Sequence, residues 1–169
     1  MRLHPSKVSQ ISGEMVSALT ADGDIECESP KEVQLDIEAV LNQYVRDEQE
    51  VSERAKDLLG ARGLPQTEYA RMKRLVADER KIKLGDDAVD YLLDQLLEML
   101  MHSANVDEVF AEDVELRRKM REPLRKQIAE DEQLQAEVRG RLKHVQEGTT
   151  LWEVEYQRMM DDIKRRKGI

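Results

Sequence analysis

Four carboxylates alternate through Asp22, Asp24, Glu26 and Glu28, the spacing with which the start of a calcium loop aims acids at one cation. The rest of such a loop is missing. Counting from Asp22, Cys27 stands where an EF-hand needs its glycine and Val33 where it needs its last glutamate. The segment is therefore expected to be a solvated turn whose acids lie close to a helix start, where the dipole favours them. His4, His102 and His144 are far apart and share no ligand spacing with a carboxylate or with Cys27, so no metal site is assigned. Cys27 lies between two glutamates, which disfavour its thiolate and argue against a Cys–His nucleophile. No glycine-rich phosphate loop, nucleophile elbow or HExxH string occurs, so neither catalytic nor cofactor-binding residues are assigned.

Cations gather in three places. Arg80, Lys81 and Lys83 close one stretch, and Lys164, Arg165, Arg166 and Lys167 close another. Arg117 and Arg118 lead a third group that continues through Lys119, Arg121, Arg125 and Lys126. Together they are candidates for contacting phosphate or a partner, against the simpler reading that basic residues answer helix C-terminal dipoles and pair with neighbouring glutamates. Aromatic residues interleaved with the cations, which single-strand binders use for stacking, are absent from these runs.

The bulk numbers narrow the class. The 169 residues suffice for one domain, or two small ones sharing a core. Charged residues make up 37% and aromatics only 4%, a balance that suits long solvated helices better than a wide catalytic cleft. A net charge of -9 argues against a surface that binds nucleic acid throughout. The single cysteine excludes an intramolecular disulfide and a multi-cysteine zinc site. With no signal-like N-terminus and no apolar run of membrane-spanning length, the expectation is a cytoplasmic protein without membrane insertion.

The elements that would position these residues are all helical. Ser6 is a candidate cap for a helix carrying Val8, Ile11, Met15, Val16 and Leu19 inward, ended by Asp22-Gly23-Asp24. Ser29-Pro30-Lys31-Glu32 combines a capping serine, proline at the first helical position and a capping-box glutamate. The long helix that follows should reach Gly60, with Gly63-Leu64-Pro65 breaking it before a third helix that turns Tyr69, Met72, Leu75 and Val76 inward. Asp86 or Asp87 should cap a helix through Val89, Leu92, Leu93, Leu96, Leu97 and Leu100, closed by Ser103-Ala104-Asn105. Val106, Val109 and Phe110 read as a connecting turn. A second long helix should run from about Asp113 past Val145 to Gly148, bent or split at Pro123. Thr150-Leu151-Trp152-Glu153 reads as a capping box for a last helix carrying Trp152, Tyr156, Met159 and Ile163.

The chain also matches itself. With an offset of about 81 residues that grows to about 87, Val8, Ile11, Met15 and Leu19 fall on Val89, Leu92, Leu96 and Leu100. Ile25, Val33 and Leu35 fall on Val106, Val114 and Leu116. Glu50-Val51 meets Glu137-Val138, and Glu68-Tyr69-Ala70-Arg71-Met72 meets Glu155-Tyr156-Gln157-Arg158-Met159. The expected architecture is an all-α helical bundle of two tandem, pseudo-symmetric helical repeats with long charged helices, over residues 1–85 and 86–169, packed as one unit. Tyr69 and Tyr156, kept in both copies, are expected in the core. Glu68 with Arg71 and Glu155 with Arg158 are expected as i,i+3 ion pairs.

Several runs taken together resemble a bacterial family known as domain of unknown function number 507. They are Met1-Arg2-Leu3-His4-Pro5-Ser6-Lys7-Val8, Asp22-Gly23-Asp24-Ile25-Glu26, Leu84-Gly85-Asp86-Asp87-Ala88, Val109 through Met120, and Arg165-Arg166-Lys167-Gly168-Ile169. The resemblance spans essentially the whole chain. It implies a shared fold and brings no established activity, cofactor or catalytic residue.

The functional expectation is a non-enzymatic interaction protein offering the faces of its long helices to a protein partner, with homo-oligomerisation open. Eight methionines motivate it, because Met99 and Met101, or Met159 and Met160, cannot all face one core. A nucleic-acid or ribonucleoprotein factor using the basic helix ends stands second. An enzyme with an unrecognised site stands last.

Overall fold

In the computed structural model, which describes residues 3–147 and 150–168, helices take up nearly the whole chain. A 3-10 turn over Pro5–Lys7 leads into α1 (Val8–Ala21), the two-residue strand β1 (Ile25–Glu26), α2 (Pro30–Arg62) and α3 (Tyr69–Arg80). A 3-10 turn over Gly85–Asp87 then leads into α4 (Ala88–His102), β2 (Glu108–Val109), α5 (Asp113–Arg141) and α6 (Thr150–Lys167). The order of elements in the second half thus repeats that of the first.

Each short helix packs on both long ones, so α1, α2, α4 and α5 enclose one core. Met15, Leu19, Ile37, Leu41, Leu92, Leu93, Leu96, Met120 and Leu124 fill it, drawn from both halves and each less than 2% exposed. Burial of this kind stabilises by roughly 25 cal/mol per Å² of apolar surface. Beyond the core the long helices continue as two arms. Ala55 and Leu59 of α2 meet Met72 of α3, and Val51 meets Val76 and Ala77. Leu134, Val138 and Leu142 meet Met160 and Ile163 of α6.

The Ser29 cap forms as read, its hydroxyl accepting from the Glu32 amide at 3.4 Å. The other caps differ. Ser6 and Asp86 lie inside 3-10 turns, and the N-cap positions of α1 and α4 fall on Lys7 and Asp87, neither of which makes a side-chain cap hydrogen bond. Helix α2 passes Gly60 and stops at Gly63, whose φ of 61° lets the Leu64 amide reach the Leu59 carbonyl at 3.0 Å. Pro123 neither splits nor ends α5, which stops at Arg141, short of Val145. Gly148, and the side chains of the expected box at Thr150 and Glu153, lie outside the described residues.

Ile25 pairs with Val109 in an antiparallel ribbon that joins the two halves. One expectation about the repeats needs correcting. Val114 is 74% and Leu35 44% exposed, so matching Val33 to Val114 and Leu35 to Leu116 sets buried positions against exposed ones. The burial register instead pairs Val33 with Leu116, Ile37 with Met120, Leu41 with Leu124, Val51 with Leu134, Ala55 with Val138 and Leu59 with Leu142, all at one constant offset. The earlier match rested on residue names, whereas a helix is registered by its buried stripe.

Candidate partner-binding cleft

The two arms leave a cleft of about 720 Å³ between them, walled by the outer part of α2, the start of α3 and the start of α6. Tyr69 opens α3, and one turn apart on α6 the rings of Trp152 and Tyr156 stack at 4.8 Å and 27°. Lys56, Lys73, Glu48 and Glu53 line the same space. Tyr69 and Tyr156 are therefore half-buried cleft residues that only abut the arm cores, which corrects their expected place in the core. Their recurrence in both halves was the signal available in sequence. It was read as architecture because the cleft exists only once the arms stand side by side.

The N-terminal turn closes one end. His4 Nε2 lies 2.6 Å from Asp131 Oδ1, and Gln135 Nε2 donates to Asp131 Oδ2 at 2.7 Å. Asp131 is only 4% exposed. On the other side of the ring, Lys164 Nζ donates to His4 Nδ1 at 3.3 Å. An ammonium only donates, so Nδ1 accepts and the ring proton sits on Nε2, facing the carboxylate. The trio ties the turn to α5 and α6. Ser52, a hydroxyl in the cleft, donates to the Glu48 carbonyl at 3.0 Å, and nothing here resembles an activated nucleophile.

The acidic turn carries a cation of the chain's own. The Lys119 ammonium on α5 meets Asp22 at 2.9 Å and also Asp24. That contact holds the Asp22 carboxyl below its ordinary range and raises the lysine. Among the described residues no group of three His, Cys, Asp or Glu is placed to hold a metal ion. Burial first, and Asp107 second, push the Cys27 thiol up, a cause other than the flanking glutamates that also disfavours the thiolate.

The basic residues sit at three separate places. At the end of α3, Arg80 pairs with Glu50, Lys81 takes the left-handed position that ends the helix at φ 59°, and the Lys83 carbonyl accepts from Tyr44 Oη at 3.1 Å. Along α5, Arg117 pairs with Asp94, Arg118 with Glu115 at 2.8 Å, and Arg121 with Asp90 at 2.6 Å. At the end of α6, Lys164 holds His4 and Lys167 meets Glu137 at 3.0 Å, while Arg165 and Arg166 are exposed and form no ion pair among the described residues. The expected i,i+3 pairs form, Arg71 to Glu68 at 3.2 Å and Arg158 to Glu155 at 3.8 Å.

The family described as "Protein of unknown function (DUF507)" matches residues 1–169, the whole chain. The chain belongs to that family. None of the curated proteins matches it. For this DUF507 chain, as for its resemblance in sequence, family membership supplies no activity, and no helix among the described residues is long and apolar enough to cross a membrane.

Proposed function

We propose that the protein is a non-enzymatic interaction module that grips a segment of a protein partner between its two helical arms. The observation that supports this reading is the cleft itself, where the Tyr69, Trp152 and Tyr156 rings meet lysines and glutamates of both signs. Tryptophan and tyrosine are enriched at protein-binding hot spots. Met101, 51% exposed at the end of α4, adds an adaptable contact elsewhere on the surface. On the same footing, the halves are read as copies of one ancestral helical unit, supported by the recurring element order and the constant burial register.

A photoreactive phenylalanine at Gln157, in the cleft, should capture a protein in living cells, and one at Lys31, at the start of α2, should not. Adducts that survive nuclease support the reading. Adducts that vanish with nuclease, or that form equally at both positions, overturn it. The alternative, nucleic-acid association, rests on the unpaired Arg165 and Arg166 and requires binding that weakens steeply with salt and with charge reversal at both.

A further inference from the structure

A second cavity, of about 350 Å³, runs between α2 and α4 and shares no lining residue with the inter-arm cleft. Its walls are Val40, Leu92 and Met99 with the rings of Tyr44 and Tyr91, whose centroids stand 6.1 Å apart at 47°. Among the described residues, its only charged lining residues are Asp36 and Asp47, and no cation lines it. Asp36 Oδ2 accepts from Asn105 Nδ2 at 3.0 Å and from Ser103, and Asp47 Oδ1 accepts from Gln43 Nε2 at 2.8 Å. Each carboxylate keeps one oxygen without a protein partner among the described residues. The nearby Arg46 donates to the Gln43 side-chain oxygen Oε1 at 2.7 Å. Burial first, and the Asp47 charge second, raise the Tyr91 phenol and keep it neutral.

The corresponding groove of the other half, α5 against α1, carries its own cations. By the burial register Lys119 stands where Asp36 does and Lys126 where Gln43 does. Lys126 meets Glu14 at 3.6 Å, and Lys119 is held by Asp22 and Asp24. One groove carries ion pairs of its own, and the other presents aromatic rings between two acids with no lysine at the matching positions.

We propose that the α2–α4 groove binds a linear alkyl polyammonium, one ammonium at each carboxylate and the methylene chain along the tyrosine rings. Asp36 and Asp47 are three helical turns apart, roughly 16 Å along the axis, a span that a long polyamine bridges and a single ammonium does not. Ring faces favour cations, and a neutral phenol keeps that property.

Spermine titrated into the full chain at physiological salt, followed by calorimetry and by the Tyr91 ring resonances, tests the assignment. The expected result is saturable one-to-one binding that moves those resonances and weakens about tenfold or more in Asp47→Asn, the loss of one charge-assisted contact. Gln95→Lys, which plants an internal cation in the wall, should abolish it while leaving the melting curve cooperative. Glu28→Gln and Glu112→Gln, exposed acids elsewhere, should change nothing. Butylammonium should bind at least a hundredfold more weakly than spermine. Equal weakening by the remote acid variants would reveal general attraction to an acidic protein and overturn the site. Butylammonium binding as tightly as spermine would mean a one-headed pocket, as for a partner's lysine, and would overturn it too.

Discussion

The two turns that close α1 and α4 are held in corresponding ways with opposite polarity. After α1, the turn supplies acceptors, Asp22 and Asp24, and the long helix of the other half supplies the donor, Lys119. After α4, the turn supplies donors, Ser103 and Asn105, and the long helix of the other half supplies the acceptor, Asp36. Both clamps cross between halves, so both fasten a short helix to a long one that is remote in sequence. The first is built from full charges and is therefore open to pH and salt. The second sets one carboxylate against neutral donors, with no ion pair for salt to screen. Geometry at these positions is thus kept while charge is exchanged, and the exchange leaves the α2–α4 groove without the lysines that its counterpart carries.

The largest effects should come from what the halves share. Ile37→Ala and Met120→Ala strike corresponding, fully buried positions on α2 and α5, and each is expected to cost about 2–5 kcal/mol. Chemical denaturation should show both losses in a single transition. Two separate transitions would mean the halves unfold independently and would undo the picture of one core. Next comes Asp36→Ala, which strands the Ser103 and Asn105 donors, a loss of about 1–3 kcal/mol. Loss of order confined to the α4 end, seen by hydrogen exchange at Val106 and Asp107, would place the effect at the clamp.

Much of this fold was legible from apolar spacing, because a helix that must bury one stripe shows it in residue types. Val8, Ile11, Met15 and Leu19 were read inward and are buried. Leu75, expected inward, is 38% exposed, since α3 turns the stripe of Met72, Val76 and Ala77 onto α2 and leaves Leu75 beside it. The ribbon of β1 and β2 was missed because two-residue strands are too short to alternate. The candidate site was less legible. Tyr69 and Trp152 lie in different arms, and His4 reaches Asp131 across nearly the whole chain, so only the packed structure brings them together. Cations were visible in sequence, but their carboxylate partners on other helices were not.

The smallest effect isolates the charge itself. The Asp22 carboxyl is held below its ordinary 3.8 by Lys119, so its contribution is present above that value and fades as pH falls through the lower folded value. Lys119 is raised above 10.5, so its contribution is present below that value and fades as pH rises through the higher folded value. The share of the melting temperature that Lys119 supplies should accordingly be flat between these limits and fall on either side, with both limbs softened by salt because Asp22 is 74% exposed. Lys119→Met should lower the plateau and flatten both limbs. Lys119→Asp alone should be worse than Lys119→Met, since three carboxylates then face one another. Combining Lys119→Asp with Asp22→Ser and Asp24→Asn copies the clamp of the other half and should recover cooperative melting without the alkaline limb. If the triple variant melts no better than Lys119→Asp, the two clamps are not interchangeable, and their resemblance is one of position only.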